Sequence, residues 1–274
     1  MWYNSIRKVG GSMRLIQKFE TQTTRGMLSK AWVELDDGTQ CLIKGNSMEN
    51  KIAGQEPFSE VIISRIGKVL GLPVLRYELI ERSRCEDLVT LHGGIKYASI
   101  CPSYIQGMGI KSISFYQYLV ATGQMRTDLL VSYQRSGLSM KYLAKMLALD
   151  AFVGNPDRHL NNFEMYKYNG VWNNTIMFDF GAGLLAWKDS KYCRSIKKCN
   201  KLYYDVSKPF KTTHYEQVKL MKRLCKTDTI LGIKNKDAFY RYIFNACSDV
   251  FNKMPDYRVT AIKNYLLNRH IYLD

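Results

Sequence analysis

The sequence predicts an α+β fold in two lobes that share one cleft, a small β-rich N-terminal lobe and a mostly helical C-terminal lobe. Three observations carry this. The coarse order of patterns is strands, one helix, strands, then mostly helix. An Asp-Gly pair between two β-prone runs marks a hairpin near the start. The pattern loosens at Pro102, Gly107 and Gly109, which places the join near residues 100–110 and divides the chain into 1–105 and 106–274.

At 274 residues and 46% hydrophobic content the chain is long enough to bury a core across both lobes. The longest apolar windows are cut by Arg65, Lys68, Lys145 and Asp150, so no transmembrane segment is expected. Met1 to Leu15 has no apolar core and no small-residue cleavage pattern, which argues against a secretory signal and for a cytoplasmic protein; Met13 is an alternative start. Seven cysteines without a C-x-x-C pair, beside four scattered histidines, read as reduced thiols rather than zinc ligands or a disulfide framework. The formal charge of +16 fits a surface for nucleic acid, anionic lipid or an acidic protein, and equally a solubilising bias.

The hairpin comprises Ala31–Asp36 and Thr39–Lys44 around a two-residue Asp37-Gly38 turn, with both turn residues expected at positive φ. Before it lies the loop Thr23 to Ser29, which holds Gly26. A helix follows from about Pro57 to Leu70, with Phe58, Ile62, Ile66, Val69 and Leu70 on one face and Gly71 and Pro73 as its stop. Val74–Ile80 reads as a strand. A second helix runs from Ser139 to Phe152 on a stripe of Met140, Leu143, Ala144, Leu147, Ala148 and Ala151, and Gly154-Asn155-Pro156 breaks it. Strands are expected at Phe163–Tyr168 and Thr175–Phe180 around an Asn169-Gly170 turn, and helices further on around Phe239, Ile243, Phe244 and Val250, and around Ile262, Tyr265 and Leu266.

The run Gly154-Asn155-Pro156-Asp157-Arg158-His159-Leu160-Asn161-Asn162 carries the chemistry, together with Asp179-Phe180-Gly181 seventeen residues after Asn162. Phosphoryl transfer needs a divalent cation to neutralise charge and an acceptor held in line. Magnesium prefers oxygen ligands, and Asn162 and Asp179 suit it. Asp157, with four residues between it and Asn162, has the spacing of a kinase catalytic loop and can face the acceptor hydroxyl. Lys44 ends the hairpin strand, where its charge can reach nucleotide phosphates. Glu60 on the first helix can pair with it, and Glu56 is the rival partner. Gly26 and Ser29 lie in the loop whose backbone N–H groups can approach phosphates, although a single glycine there also fits an ordinary turn. No G-x-x-x-x-G-K-[ST] run is present, so a P-loop is not supported.

Asp157-Arg158-His159 through Asn162 and then Asp179-Phe180-Gly181 resemble the catalytic core of HipA-like kinases and of phosphatidylinositol 3-/4-kinases. The segment Ser59 to Val74, with Leu70-Gly71-Leu72 near its end, is similar to a HipA-like helix and favours that side, including the small CtkA-type bacterial serine/threonine kinases. Lys208-Pro209-Phe210 and Glu216-Gln217 fit the same group loosely. The resemblance covers about residues 20–80 and 140–220. It implies a protein-kinase-like two-lobed fold, ATP as donor, Mg2+, Asp157 as catalytic base, and Asn162 and Asp179 as metal ligands. It also implies Lys44 on the phosphates, with His159 steadying the loop or the transferring phosphate. A toxin or effector role, delivery into a host cell and an antitoxin-like regulator belong to the same implication. The N-terminal extension of full-length HipA toxins and their glycine pattern are missing; Thr23, Thr24 and Ser29 are the candidates for autophosphorylation.

Residues 182–211 carry Lys188, Lys191, Arg194, Lys197, Lys198, Lys201, Lys208 and Lys211 against Asp189 and Asp205, which favours an acidic acceptor or else a solvated loop. Three readings remain open on the sequence: a serine/threonine protein kinase, a phosphoinositide kinase, and a non-catalytic nucleic-acid-binding protein. The last leaves Asp157, Asn162 and Asp179 without a role.

Overall fold

The computed structural model describes residues 11–19, 28–49, 51–106, 111–195 and 206–274. Strands β1 (Met13–Phe19), β2 (Lys30–Leu35) and β3 (Gln40–Lys44) come first. A short ribbon, β4 (Met48–Glu49) and β5 (Ile52–Ala53), leads into helix α1 (Glu56–Val69), which is followed by β6 (Glu78–Glu81) and β7 (Tyr97–Pro102). One antiparallel sheet forms in the order β1-β2-β3-β7-β6.

The hairpin turn is one residue longer than its sequence suggests. Gly38 N donates to Leu35 O and Leu35 N donates to Thr39 O, each at 2.9 Å, so the loop is Asp36 to Gly38. Within it Gly38 alone adopts a left-handed φ, +77°. Asp37 instead turns its carboxylate back to accept from Thr39 N at 2.9 Å, the usual Asx behaviour. This three-residue loop sets the register that places Lys30 opposite Lys44.

Because side chains alternate along a strand, the sheet has two faces. Ala31, Val33, Cys41, Ile43, Ala98 and Ile100 are buried on one face, against Ile80, Cys85, Val89 and Leu91. Lys30, Trp32, Leu42, Lys44 and Cys101 look out from the other into a cleft.

Helix α1 begins with proline in its first turn and ends at Gly71, whose φ of +66° closes the helix without Cβ strain. Phe58, Val61, Ile62, Ile63 and Ile66 are all buried, and they belong to the same apolar cluster as the later helices rather than to the core behind the sheet. Arg65 reinforces this seat by donating to Ala246 O at 3.0 Å.

The expected strand over Val74–Ile80 is confined to β6. Its first residues cross instead to the second half of the chain: Leu75 N donates to Met177 O and Met177 N to Pro73 O, both at 2.7 Å.

The second half opens with β8 (Ser112–Ser114), α2 (Phe115–Ala121), α3 (Leu129–Arg135) and α4 (Met140–Val153). Strands β9 (Glu164–Tyr168) and β10 (Val171–Asn174) form a hairpin and join β8 in a small sheet of order β10-β9-β8. Then come α5 (Ser190–Ser195), the ribbon β11 (Val206–Ser207) and β12 (Thr212–Thr213), and helices α6 (His214–Cys225), α7 (Lys236–Ala246), α8 (Ser248–Phe251) and α9 (Asp256–Asn268). Ser139 caps α4 by accepting from Tyr142 N, and Gly154 ends it at φ +64°. A side chain at Gly154 would meet the Tyr265 hydroxyl of α9 at 1.7 Å, so glycine also lets that helix approach.

No strand forms over Thr175–Phe180. Thr175 N still reaches Glu164 O of β9, but from Met177 to Phe180 the backbone groups are taken by the bridge to Pro73 and Leu75 and by side chains described below, which leaves no sheet ladder to build. Among the described residues no helix is long and apolar enough to cross a membrane.

Candidate active site

The site lies in a cleft of about 470 Å³ between the open face of the sheet and the loops that follow α4 and β10. That size suits a nucleotide-sized molecule. Leu42, Leu75, Cys101, Tyr104 and Phe178 give it apolar walls, and the Tyr104 and Phe178 rings stack at 6.0 Å. Lys30, Lys44, Asp157, His159, Asn162 and Asp179 all line the same space.

Lys44 leaves β3 on the cleft face and meets two carboxylates. Its Nζ lies 2.7 Å from Glu60 Oε1 and 2.9 Å from Asp179 Oδ1. Burial works against the ammonium charge, but Asp179 and Glu60 outweigh it and lift the Lys44 pKa well above its ordinary value. Burial pushes the Glu60 carboxyl up, and Lys44 opposes that. For Asp179 the balance falls the other way: burial would raise its pKa, but Lys44 and Lys30 together pull it far below the usual carboxylate range. Tyr77 is wedged between these groups, with its hydroxyl 3.4 Å from Lys44 Nζ and accepting from Asp179 N at 3.3 Å.

The choice between the two acids of α1 is settled by their partners. Glu60 holds Lys44 with one oxygen and accepts from Phe180 N with the other at 2.8 Å. Glu56, one turn earlier, accepts from the Trp187 indole at 2.8 Å and from the Ser47 hydroxyl.

The loop after α4 is organised by Arg158, which is fully buried. Its Nε and Nη2 bind the two oxygens of Asp150 at 2.8 and 2.9 Å, and its Nη1 donates to the carbonyls of Asn162 and Phe178. Asn155 also donates to Asp150 at 2.9 Å. One buried cation thus clamps both ends of the loop and the strand-like approach to Asp179. Leaving either member of such a pair alone in the interior costs about 3–5 kcal/mol.

Asp157 projects from this loop, half exposed, and its Oδ1 accepts from Lys208 Nζ at 2.7 Å. Asn162 Nδ2 donates to the carbonyl of Asp157 at 2.9 Å, which turns the amide oxygen of Asn162 free to ligate. Asp179 has a φ of +62°, a costly conformation for a residue with a side chain, and it commits only Oδ1 to Lys44. One carboxylate oxygen and one amide oxygen are thereby left for a hard divalent cation, and among the described residues no group of three or more His, Cys, Asp or Glu could hold a metal by itself. His159 Nδ1 accepts from Asn161 N at 3.2 Å. Burial lowers the His159 pKa against the opposing pull of Asp157 and Asp179, so the ring is neutral near pH 7.

One of the loop residues expected at the phosphates is not brought here. Ser29 is buried, its hydroxyl accepts from Thr90 N at 3.1 Å and it does not line the cleft, because alternation along the strand gives that position to Leu28 and Lys30. Gly26 lies outside the described residues, as do Thr23 and Thr24.

Four residues gain a place here that the sequence pattern does not give them. Lys30 lines the cleft with no ion pair to any described residue, and burial, then Lys44, lowers its pKa. Its signal is the hairpin register, readable only once the turn length is known. Tyr77 carries no signal. Arg158 has one in Asp150, a lone acid on the apolar face of α4. Lys208 is marked only as part of a basic stretch, yet it reaches Asp157.

No protein-family model matches the chain, and no curated protein does. Solved structures do. The Helicobacter pylori proinflammatory kinase CtkA superposes over 95% of this chain and 95% of its own with a TM-score of 0.63, at 14% identity. The Golgi casein kinase superposes over 96% of this chain and 73% of its own with a TM-score of 0.51, at 12% identity, and has also been solved with Mn and ADP bound. A HipA chain of the Shewanella oneidensis MR-1 toxin–antitoxin system covers 96% of this chain and 72% of its own at 12% identity, with a TM-score of 0.48. With CtkA matched nearly end to end, the chain has the atypical two-lobed kinase fold.

Proposed function

We propose that the chain is an ATP- and Mg2+-dependent kinase that phosphorylates serine or threonine in a protein. The observation that carries this is one buried lysine, Lys44, held by Glu60 and Asp179 in a cleft that Asp157 and Asn162 also line. Lys30 and Lys44 take the nucleotide phosphates, and the apolar wall of Leu42, Leu75 and Phe178 takes the base. Asn162 and Asp179 hold Mg2+, which neutralises the triphosphate. Asp157 takes the acceptor proton, and neutral His159 steadies the loop. Residues 1–105 form the nucleotide lobe and 106–274 the catalytic lobe. The Mn- and ADP-bound form of the Golgi casein kinase supports divalent metal and nucleotide as a class.

Lys188, Lys191, Arg194, Lys208 and Lys211 lie downstream of Asp179 and favour an acidic protein segment as the acceptor. The chain itself is a second acceptor, and an antitoxin-like protein a candidate regulator. The test is incubation with labelled ATP and Mg2+, with dephosphorylated casein or with phosphoinositide vesicles. Label on protein is expected. Label on lipid alone would replace this reading by a phosphoinositide kinase. No stabilisation by ATP, with salt-sensitive oligonucleotide binding, would replace it by a nucleic-acid-binding protein.

A further inference from the structure

Lys208 is placed with a care that stability does not explain. It leaves the ribbon β11–β12, whose Ser207 is buried and accepts from Gln217 Nε2 at 2.9 Å through both its carbonyl and its hydroxyl. The Lys208 backbone N donates to Pro156 O at 3.0 Å, so its main chain is fixed to the residue before Asp157. Its side chain then returns to Asp157 Oδ1 at 2.7 Å. That pair is 52% and 34% exposed, and an ion pair so open to solvent adds little to stability.

Two of the cations near the centre are committed, and Lys30, which has no ion pair among the described residues, lies on β2 where the reading above gives it to the nucleotide phosphates. Lys44 is shared by Glu60 and Asp179, and Arg158 is spent on Asp150 and two carbonyls. A triphosphate approaching Asp157 brings negative charge towards a carboxylate, and beside the Mg2+ given to Asn162 and Asp179 the cation already seated on that carboxylate is Lys208.

We propose that Lys208 is a catalytic residue whose ammonium bridges the Asp157 carboxylate and the transferring phosphoryl group. This rests on the kinase reading above. In the step it serves, the acceptor hydroxyl gives its proton to Asp157 and its oxygen bonds to the γ-phosphorus. The bond from that phosphorus to the β–γ bridging oxygen breaks, and ADP leaves with the electron pair. Lys208 keeps its proton throughout, holds Asp157 towards the acceptor and offsets the charge shared by the phosphoryl oxygens.

The test compares the parent with Lys208→Met and Lys208→Arg in protein labelling and in slow ATP hydrolysis, where water is the acceptor. ATP binding and thermal melting are followed alongside. For Lys208→Met, kcat is expected to fall about 100-fold in both reactions. KM for ATP and the melting temperature stay near the parent's values. Lys208→Arg is expected to recover at least about ten-fold of the loss, because it restores the charge. An unchanged or raised kcat in Lys208→Met overturns the proposal and leaves the kinase reading standing. Equal loss in both variants, or a fall in melting temperature that matches the lost activity, assigns a structural role and overturns it too. A parent that transfers phosphate to neither protein nor water overturns both.

Discussion

Lys30 and Lys44 stand directly opposite one another on β2 and β3, two like charges on the cleft face of the sheet. Like charges so paired across strands destabilise a sheet by a few tenths of a kcal/mol to about 1 kcal/mol. Asp179 and Glu60 neutralise Lys44, whereas Lys30 has no ion pair among the described residues. The arrangement suits an anion that arrives later.

Removing that repulsion separates stability from binding. Lys30→Met is expected to leave the melting temperature of the free protein unchanged or slightly higher. It should weaken ATP·Mg2+ about ten-fold, or about 1.4 kcal/mol. Melting curves with and without nucleotide measure both; an undiminished ATP shift would take Lys30 out of the phosphate site.

The two acids of the cleft are expected to fail differently. Asn tolerates left-handed backbone, so Asp179→Asn can keep the φ of +62° and still fold. It should lose the Mg2+-dependent part of ATP binding and all detectable transfer. Asp157→Asn should bind ATP·Mg2+ as the parent does and lose about 100-fold or more in transfer. Calorimetric titration with and without Mg2+ separates them, and equal nucleotide affinity in both variants would refute the assignment of Asp179 to the metal.

Arg158 is expected to matter for folding more than for substrate. Arg158→Met leaves Asp150 buried without its cation and frees the carbonyls of Asn162 and Phe178. The cost should be about 3–5 kcal/mol. Urea unfolding measures it; the double variant Arg158→Met with Asp150→Leu should recover part of the loss, because the orphaned charge is gone.

His214 makes the fold sensitive to acid. It is the first residue of α6, is buried, and burial with Arg269 nearby lowers its pKa to about 3. The unfolded chain, with an ordinary histidine near 6.5, binds the proton first, so stability is intact above about pH 6.5 and falls as pH drops towards 3. From pH 7 to pH 5 this amounts to about 2 kcal/mol. His214→Gln should flatten that part of the stability–pH curve, measured by urea unfolding at each pH. An equal slope in both proteins would assign the acid sensitivity to other groups.

The legibility of the chain follows what each signal depends on. Pro57, Gly71, Ser139 and Gly154 act through their own backbones, so both long helices fall within a residue or two of where their pattern puts them. The spacing of Asp157, Asn162 and Asp179 is local to two loops, and the cleft gathers all three. Ser29 is different, since which side of the chain faces the cleft depends on strand alternation as well as on nearness to a glycine. Thr175–Phe180 has a strand's alternation but a switch point's environment, with its backbone partners drawn from Pro73, Leu75, Tyr77, Glu60 and Arg158. Those partners are distant in sequence, and no periodicity announces them.

Residues 177–180 are consequently stitched at every step: Met177 to Pro73 and Leu75, Phe178 to Arg158, Asp179 to Lys44 and Tyr77, Phe180 to Glu60. Swinging Phe180 outward would unpick fastenings on both halves of the molecule at once. A compound that needs Phe180 displaced must overcome all of them, whereas one that fills the space beside Leu42 and Leu75 disturbs none. Ligands for this cleft are therefore to be sought among molecules that accept the Phe180 arrangement as it stands.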